Sequence, residues 1–268
     1  MRIRIGYELI FQFPQPTPVL LVLSVRPERT KDLEKPEYLD VSPMVPVNLF
    51  IDSFGNRCGR VLAPAGKFRF YYDNIVRDSG QHEPVGLGAV QHHITELPPE
   101  VLTFLHSSRY CEVDRLTDVA WKLFGHIPPG WGRVQAVCDW AHLNVEFGYQ
   151  YARATKTAWD VFQERKGVCR DFMHLSITFL RALNIPARYA TGYLGDIGVP
   201  AVPLAMDFSA WFEVYMGGRW WTLDARHNEP RIGRVLMGYG RDAVDVALAT
   251  SFGPHVLEKF TVWTDEVK

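Results

Sequence analysis

What this chain of 268 residues lacks already narrows its role. Long apolar runs are missing: the best one, Val19 to Val25, is broken by Ser24 and followed by Arg26, well short of the roughly 18 uninterrupted residues of a membrane span. An excess of one charge is missing too. The 29 Lys and Arg face 30 Asp and Glu, for a formal net charge of -1 and no block of either sign, which argues against nucleic acid as a partner. Cysteine is sparse. Cys58, Cys111, Cys138 and Cys169 form no C-x-x-C pair, so neither a zinc site nor a disulfide scaffold is indicated. His92-His93 has no spaced acidic or cysteine companion, and no segment reads as a calcium loop, so no metal and no cofactor are expected. The first residues, Met1-Arg-Ile-Arg-Ile-Gly-Tyr-Glu-Leu, alternate charged and apolar side chains and lack the apolar core of about 7–15 residues of a signal peptide. The expectation is a cytoplasmic protein with no membrane partner.

With 47% hydrophobic residues the chain can bury a sizeable core, and its length suits one large domain or two smaller ones at about 150 residues each. Short apolar or alternating runs predict strands at Ile3 to Phe11, Val19 to Val25, Leu39 to Val45, Val47 to Asp52, Cys58 to Leu62, Lys67 to Asp73 and Ile75 to Arg77. Asp52-Ser-Phe-Gly-Asn-Arg57 reads as a hairpin turn. This pattern predicts an N-terminal β-sandwich-like domain over residues 1–96. Leu97-Pro98-Pro99 blocks continuation of a strand or helix and marks a boundary.

From there the period changes, and residues 97–268 form the second expected domain. Apolar residues at intervals of three and four predict helices at Pro99 to His106, Thr117 to Phe124, Trp131 to Phe147, Ala158 to Arg165 and Val168 to Leu183. A strand over Ala187 to Leu194 and a loop over Gly198 to Phe208 follow. Ser209 to Tyr215, Gly217-Gly218 and Arg219 to Asp224 read as a second hairpin, and Leu257 to Trp263 as a closing strand. The fold class is therefore α+β. Gly238-Tyr-Gly-Arg-Asp-Ala243 imitates a dinucleotide fingerprint, but too little chain follows it for a nucleotide-binding domain.

One cysteine differs from the other three. Cys169 opens a helix, where unpaired backbone N–H groups and the positive helix end favour a thiolate. The plainer reading is a small buried residue, as most free cysteines are. If Gly217-Gly218 is a two-residue turn, Met216 pairs with Arg219 and Trp211 falls opposite Asp224. Ser209, Trp211 and Asp224 then share one face. Ser209 and Asp224 become diagonal neighbours, at a separation of ~7–8 Å or less that a histidine at 209 closes but a serine does not. A helix-start Cys with a His and an Asp on adjacent strands makes a cysteine triad. Two of the three are here.

Gly167-Val-Cys-Arg-Asp-Phe-Met-His-Leu175, Leu183-Asn-Ile-Pro-Ala-Arg-Tyr-Ala-Thr-Gly-Tyr193, Asp207-Phe-Ser-Ala-Trp-Phe-Glu-Val-Tyr215 and Gly218-Arg-Trp-Trp-Thr-Leu-Asp-Ala-Arg-His-Asn228 together resemble the core of the bacterial transglutaminase-like proteins, of the papain-like transglutaminase superfamily. The likeness extends to Asn48-Leu-Phe-Ile-Asp-Ser-Phe-Gly-Asn56, Pro98-Pro-Glu and Ser108-Arg-Tyr110. It implies a papain-like, transglutaminase-like core with an antiparallel sheet, Cys169 as nucleophile and Asp224 as the acidic residue. Where the family commonly has His in Asp-Phe-His-Ala-Trp, this chain has Ser209. A serine hydroxyl cannot serve as the base, and His227, three residues past Asp224, is the candidate substitute, ahead of His174 on the far side of the helix. Trp211 and Asp171 are the expected cleft-lining residues, although Asp171 reads more simply as a complement to the helix dipole. Trp220 and Trp221 read as core or pocket walls. The resemblance implies a cysteine protease or acyltransferase that acts on amide or peptide carbonyls through a thioester, with a peptide or protein substrate. The alternative is a catalytically degenerate domain that binds a peptide or protein partner. The oligomeric state is left open.

Overall fold

The computed structural model describes residues 1–201 and 205–267, so part of the loop expected at Gly198 to Phe208, and the last residue of the second domain, lie outside the described residues. The first six strands are β1 (Arg2–Phe13), β2 (Thr17–Leu21), β3 (Asp40–Ser42), β4 (Asn48–Ile51), β5 (Arg57–Ala63) and β6 (Gly66–Arg77). Alternation builds β1: Arg2 and Arg4 are exposed, while Ile3, Ile5, Leu9 and Phe11 are buried, the period of a strand with one face on a core. The two short runs expected at 67–73 and 75–77 are one strand, β6, paired along β1 from Arg2↔Arg77 to Phe13↔Gly66. The turn between β4 and β5 is longer than a two-residue loop. Asp52 Oδ1 accepts the amides of Phe54 and Asn56 at 2.8 Å each, and Gly55 takes the left-handed φ of 78° that closes it.

β1, β6 and β3 lie in one sheet and β2, β5 and β4 in a second. The two bury a shared apolar cluster that includes Ile5, Leu9, Leu21, Val61, Phe68 and Phe70, which makes the N-terminal part a sandwich. Residues 78–93 then run without helix or strand to the second part. This linker is held down on the later hairpin. The Gly217 amide donates to the Val90 carbonyl at 3.0 Å, and the Gly218 amide to His92 Nε2 at 3.0 Å.

The second part holds α1 (Pro99–Leu102), α2 (Val113–Phe124), α3 (Trp131–Asn144), β7 (Glu146–Phe147), α4 (Ala158–Glu164), β8 (Lys166–Gly167), α5 (Cys169–Ala182), β9 (Ala187–Tyr193), β10 (Ser209–Met216), β11 (Arg219–Leu223) and β12 (Val235–Gly240). The last four strands make an antiparallel sheet in the order β11-β10-β9-β12. Helix α5 is buried on every side from Asp171 to Ala182. Phe172, Leu175 and Phe179 share a core with Ala210, Phe212 and Val214 of β10 and with Leu116, Val134 and Val161 of α2, α3 and α4.

The chain does not finish in the second part. β13 (Ala249–Ser251) pairs with β2, and β14 (Val256–Val267) pairs antiparallel along β1 from Arg2↔Val267 to Gln12↔Val256. A division at residue 97 therefore leaves two strands of the N-terminal sheets in the C-terminal segment. The sequence shows a strand at 257–263 but carries no local mark of its partner.

Two buried charges are informative. Arg181, 2% exposed, has no carboxylate within ion-pair distance among the described residues and is held by carbonyls instead. Its Nε and Nη2 donate to Ala187 at 3.0 and 2.8 Å, Nη1 to His106 at 2.9 Å, and Nη2 to Arg241 at 2.6 Å. It thus ties α5 to β9, to the segment after α1 and to the end of β12. In the sandwich, the Glu37 side chain is 4% exposed; its Oε1 accepts the Val25 amide at 2.6 Å, and Arg57 Nη1 stands 3.5 Å from Oε2. Burial outweighs both and pushes its carboxyl up to about 7.

Two measurements check these assignments. Arg181→Met strands several buried carbonyls, and urea denaturation should show a loss of roughly 3 kcal/mol or more. For Glu37, the native state holds a proton that the unfolded chain has released between about pH 4.5 and 7, so this group's effect on stability worsens as pH rises through that window. The stability difference between Glu37→Gln and wild type should therefore move in favour of the variant by roughly 2 kcal/mol from pH 5 to pH 8.

Candidate functional site

The site begins at the N-terminus of α5. Val168 has extended dihedrals and caps the helix, and its amide donates to Asp171 Oδ2 at 3.0 Å. This return of the third helical side chain onto the cap satisfies one of the donors that a helix start leaves unpaired. It also explains Gly167, where a Cβ would meet Asp171 Cβ at 2.6 Å. Asp171 is 0% exposed, and burial raises its pKa against the pull of the Val168 amide and Arg170. It serves the helix and does not line the Cys169 cavity. The expectation that it faces the cleft is corrected: a carboxylate at this position bends back along the chain.

Cys169 is the first helical residue and is partly exposed, whereas Cys58, Cys111 and Cys138 are buried. Burial pushes the Cys58 thiol up to about 12 and the Cys111 thiol up to about 11. Cys169 lines a cavity of about 270 Å³ together with Tyr149, Asp207, Ser209, Arg226 and His227. Burial, then the Asp207 carboxylate, push its thiol up to about 11, opposed by Arg226 and the Ala210 amide. Among the described residues no imidazole is hydrogen-bonded to the sulfur.

The hairpin has the register its turn residues predict. Gly217 and Gly218 have φ of 59° and 80°, Met216 pairs with Arg219, and the ladder runs to Phe212↔Leu223. Ser209 opens β10 opposite Gly192, a position where a Cβ would meet the Val235 carbonyl oxygen at 2.1 Å. Trp211 does share the Ser209 face, yet it does not line the Cys169 cavity. It is 2% exposed, with the Arg234 guanidinium 5.0 Å above its ring, and it borders a separate cavity of about 560 Å³ with Arg188, Glu213 and Arg234. Strand alternation fixes the face of a side chain but not what the rest of the chain lays over that face.

β11 ends at Leu223, and Asp224 turns the chain. Its Oδ1 accepts the amides of Arg226 and His227 at 2.9 and 3.1 Å, and its carbonyl accepts the Asn228 amide at 2.7 Å. This tight turn swings the His227 ring back, so that Nδ1 lies 2.8 Å from Asp224 Oδ2. The same oxygen accepts Arg234 Nη2 at 3.0 Å. Asp224 is 5% exposed, and burial works against its charge, but Arg234 and His227 outweigh burial and hold the carboxyl well below the usual range. An ionised Asp224 takes the proton-bearing Nδ1 of His227, which in the neutral imidazole leaves Nε2 with the lone pair.

The structure therefore brings Cys169, Ser209 and His227 to one cavity and joins His227 to Asp224. His174 is elsewhere: fully buried, it stacks on Tyr110 at 4.9 Å, accepts the Ala243 amide at Nε2, and is driven well below its usual pKa by burial. Among the described residues no group of three or more His, Cys, Asp or Glu could hold a metal ion. Sequence reasoning missed Asp207, Arg226 and Arg234. Asp207 stands two residues before Ser209 and was within reach, whereas Arg234 has no local mark.

A family model described as the transglutaminase-like superfamily matches residues 121–225, from within α2 to one residue past Asp224. Over 117 residues the chain is 32% identical to an uncharacterised protein of Mycobacterium leprae and 31% identical to one of Mycobacterium tuberculosis strain H37Rv. Those alignments take in 42% and 40% of this chain and 42% and 37% of those proteins, so it spans about two fifths of the length of these curated relatives. The likeness to a solved structure from Cytophaga hutchinsonii, titled a "putative cysteine protease", runs much further. It has 32% identity and a TM-score of 0.85, and covers 100% of this chain and 91% of that one. A matched stretch that holds Cys169, Ser209 and Asp224, joined to a likeness along the whole chain, makes this protein a member of the transglutaminase-like superfamily.

Proposed function

We propose that this protein is a cysteine enzyme acting on amide or peptide carbonyls, with His227 in the role that a histidine at position 209 would fill. The observation that carries this reading is the 2.8 Å bond from His227 Nδ1 to the buried Asp224 carboxylate, in a residue that lines the Cys169 cavity. Asp224 fixes the tautomer and stabilises the imidazolium, as the acid of a triad does. His227 Nε2 takes the thiol proton as the sulfur of Cys169 attacks the carbonyl carbon. Unpaired amides at the start of α5, and the Ala210 amide beside the sulfur, are the available donors for the oxyanion. Collapse of the tetrahedral adduct breaks the C–N bond, and His227 returns its proton to the departing amine. Water then hydrolyses the thioester, or a second amine takes the acyl group, with His227 again accepting the proton. A peptide or protein is the substrate class that fits this chemistry.

The second reading is a domain that keeps the cleft for binding alone. Ser209 favours it, together with a resting thiol pushed up to about 11 and, among the described residues, no imidazole bonded to it. A thiol without a base becomes reactive only as pH rises toward that value.

Acyl transfer from p-nitrophenyl acetate separates the two. The enzyme reading expects acylation of Cys169 at neutral pH, lost in Cys169→Ala and lowered about 10²-fold or more in His227→Ala. Ser209→His in the His227→Ala background should restore part of the rate. A wild-type rate that climbs steadily with hydroxide toward pH 11, and is indifferent to His227→Ala, sinks the enzyme reading and supports the binding one.

A further inference from the structure

We infer that the Cys169 cavity selects substrates carrying an ammonium or guanidinium group beside the reacting carbonyl, with Asp207 as the counter-charge. This deepens the reading of Cys169 as the working nucleophile and rests on it. The charged groups around the sulfur come from three segments. Ahead of β10 stands Asp207; past β11 stand Arg226, His227 and Glu229; and Arg231 and Asp196 face each other across 3.8 Å at the far wall.

Most of these charges are already engaged. Asp224 belongs to His227 and Arg234. Arg231 donates to the Gly195 carbonyl at 3.0 Å, and the Arg226 guanidinium lies 3.7 Å over the Phe147 ring. Asp207 is different. Its carboxylate is partly buried and accepts the Phe208 amide, and among the described residues no cation lies within ion-pair distance of it. Burial raises its pKa, outweighing the Phe208 amide and the Arg226 guanidinium, which pull it down. A carboxylate half removed from water without a paired cation is costly, and a cation that enters the cavity relieves that cost.

The same residue links recognition to reactivity. After burial, Asp207 is the strongest influence holding the thiol in its neutral form. A substrate cation seated against Asp207 cancels that influence, so the thiolate becomes accessible when a substrate of the right charge is present. At 270 Å³ the cavity has room for a side chain or a chain terminus, not for a folded partner.

Charged thiol reagents test this without requiring turnover. Cys169 is modified with 2-(trimethylammonium)ethyl methanethiosulfonate and with its 2-sulfonatoethyl counterpart; the thiolate attacks the sulfenyl sulfur, a mixed disulfide forms and methanesulfinate leaves. Each rate is divided by that on N-acetylcysteine, and Cys169→Ser corrects for other thiols. The cationic reagent should be favoured about tenfold or more, the preference should collapse in Asp207→Asn, and Asp207→Glu should keep it. Protection of Cys169 by Nα-acetyl-lysine amide against protection by glycinamide then tells a side-chain ammonium from a terminal one. Preference for the anionic reagent, or a preference unchanged in Asp207→Asn, overturns the inference. Because no acyl transfer is measured, loss of the p-nitrophenyl acetate reaction together with a retained cationic preference would remove the enzyme reading and leave the charge selection standing.

Discussion

A single buried carboxylate organises this molecule. Asp224 sits at the end of a strand with almost no access to water, and an ion in that position must be surrounded by donors or give up its charge. The chain supplies two amides from the following turn, an imidazole three residues on and a guanidinium ten residues on. Arg234 is in turn faced by Glu83, with Nε 2.5 Å from Oε1. Glu83 belongs to the linker that leads out of the β-sandwich, and it also accepts the Arg231 amide. The charge balance around Asp224 therefore includes a carboxylate from a segment far away in sequence, and the way the sandwich is moored to the core is part of the electrostatics of the site.

The elements legible in the sequence are those whose causes are local. The Gly217-Gly218 turn sets the β10–β11 register residue by residue, and the apolar spacing of α5 announces a helix that begins within a residue of Cys169. Side-chain destinations were legible only where one element determines them. Asp171 is caught by its own helix cap, a preference of the third helical position that competes with any role in a cleft. Trp211 is on the predicted face, but Arg234, one residue ahead of β12, covers it. The partners of Asp224 split the same way: His227 follows from a turn that an Asp at its first position favours, while Arg234 and Glu83 depend on pairings that no short window of sequence contains.

The exchange of histidine for Ser209 has a mechanical side. A base at position 209 would be fixed by the backbone ladder that pairs the start of β10 with β9. His227 instead projects from a turn whose geometry is held by the oxygens of one aspartate. In the proposed mechanism the acid residue thus does two jobs, orienting the ring and holding the backbone that carries it, so the position of the imidazole and the ionisation of Asp224 cannot vary independently.

The antiparallel pairing of β14 with β1 bears on how the chain is made. β1 is an inner strand of its sheet, yet the neighbour on one side comes after the whole of the second part in chain order. Throughout synthesis of the linker, the five helices and the sheet that carries Ser209, the sandwich has an open edge along the whole of β1, the kind of edge that invites pairing with other chains. The second part must therefore fold as a long excursion between two strands destined to lie side by side, and the ring closes only once β14 has been made.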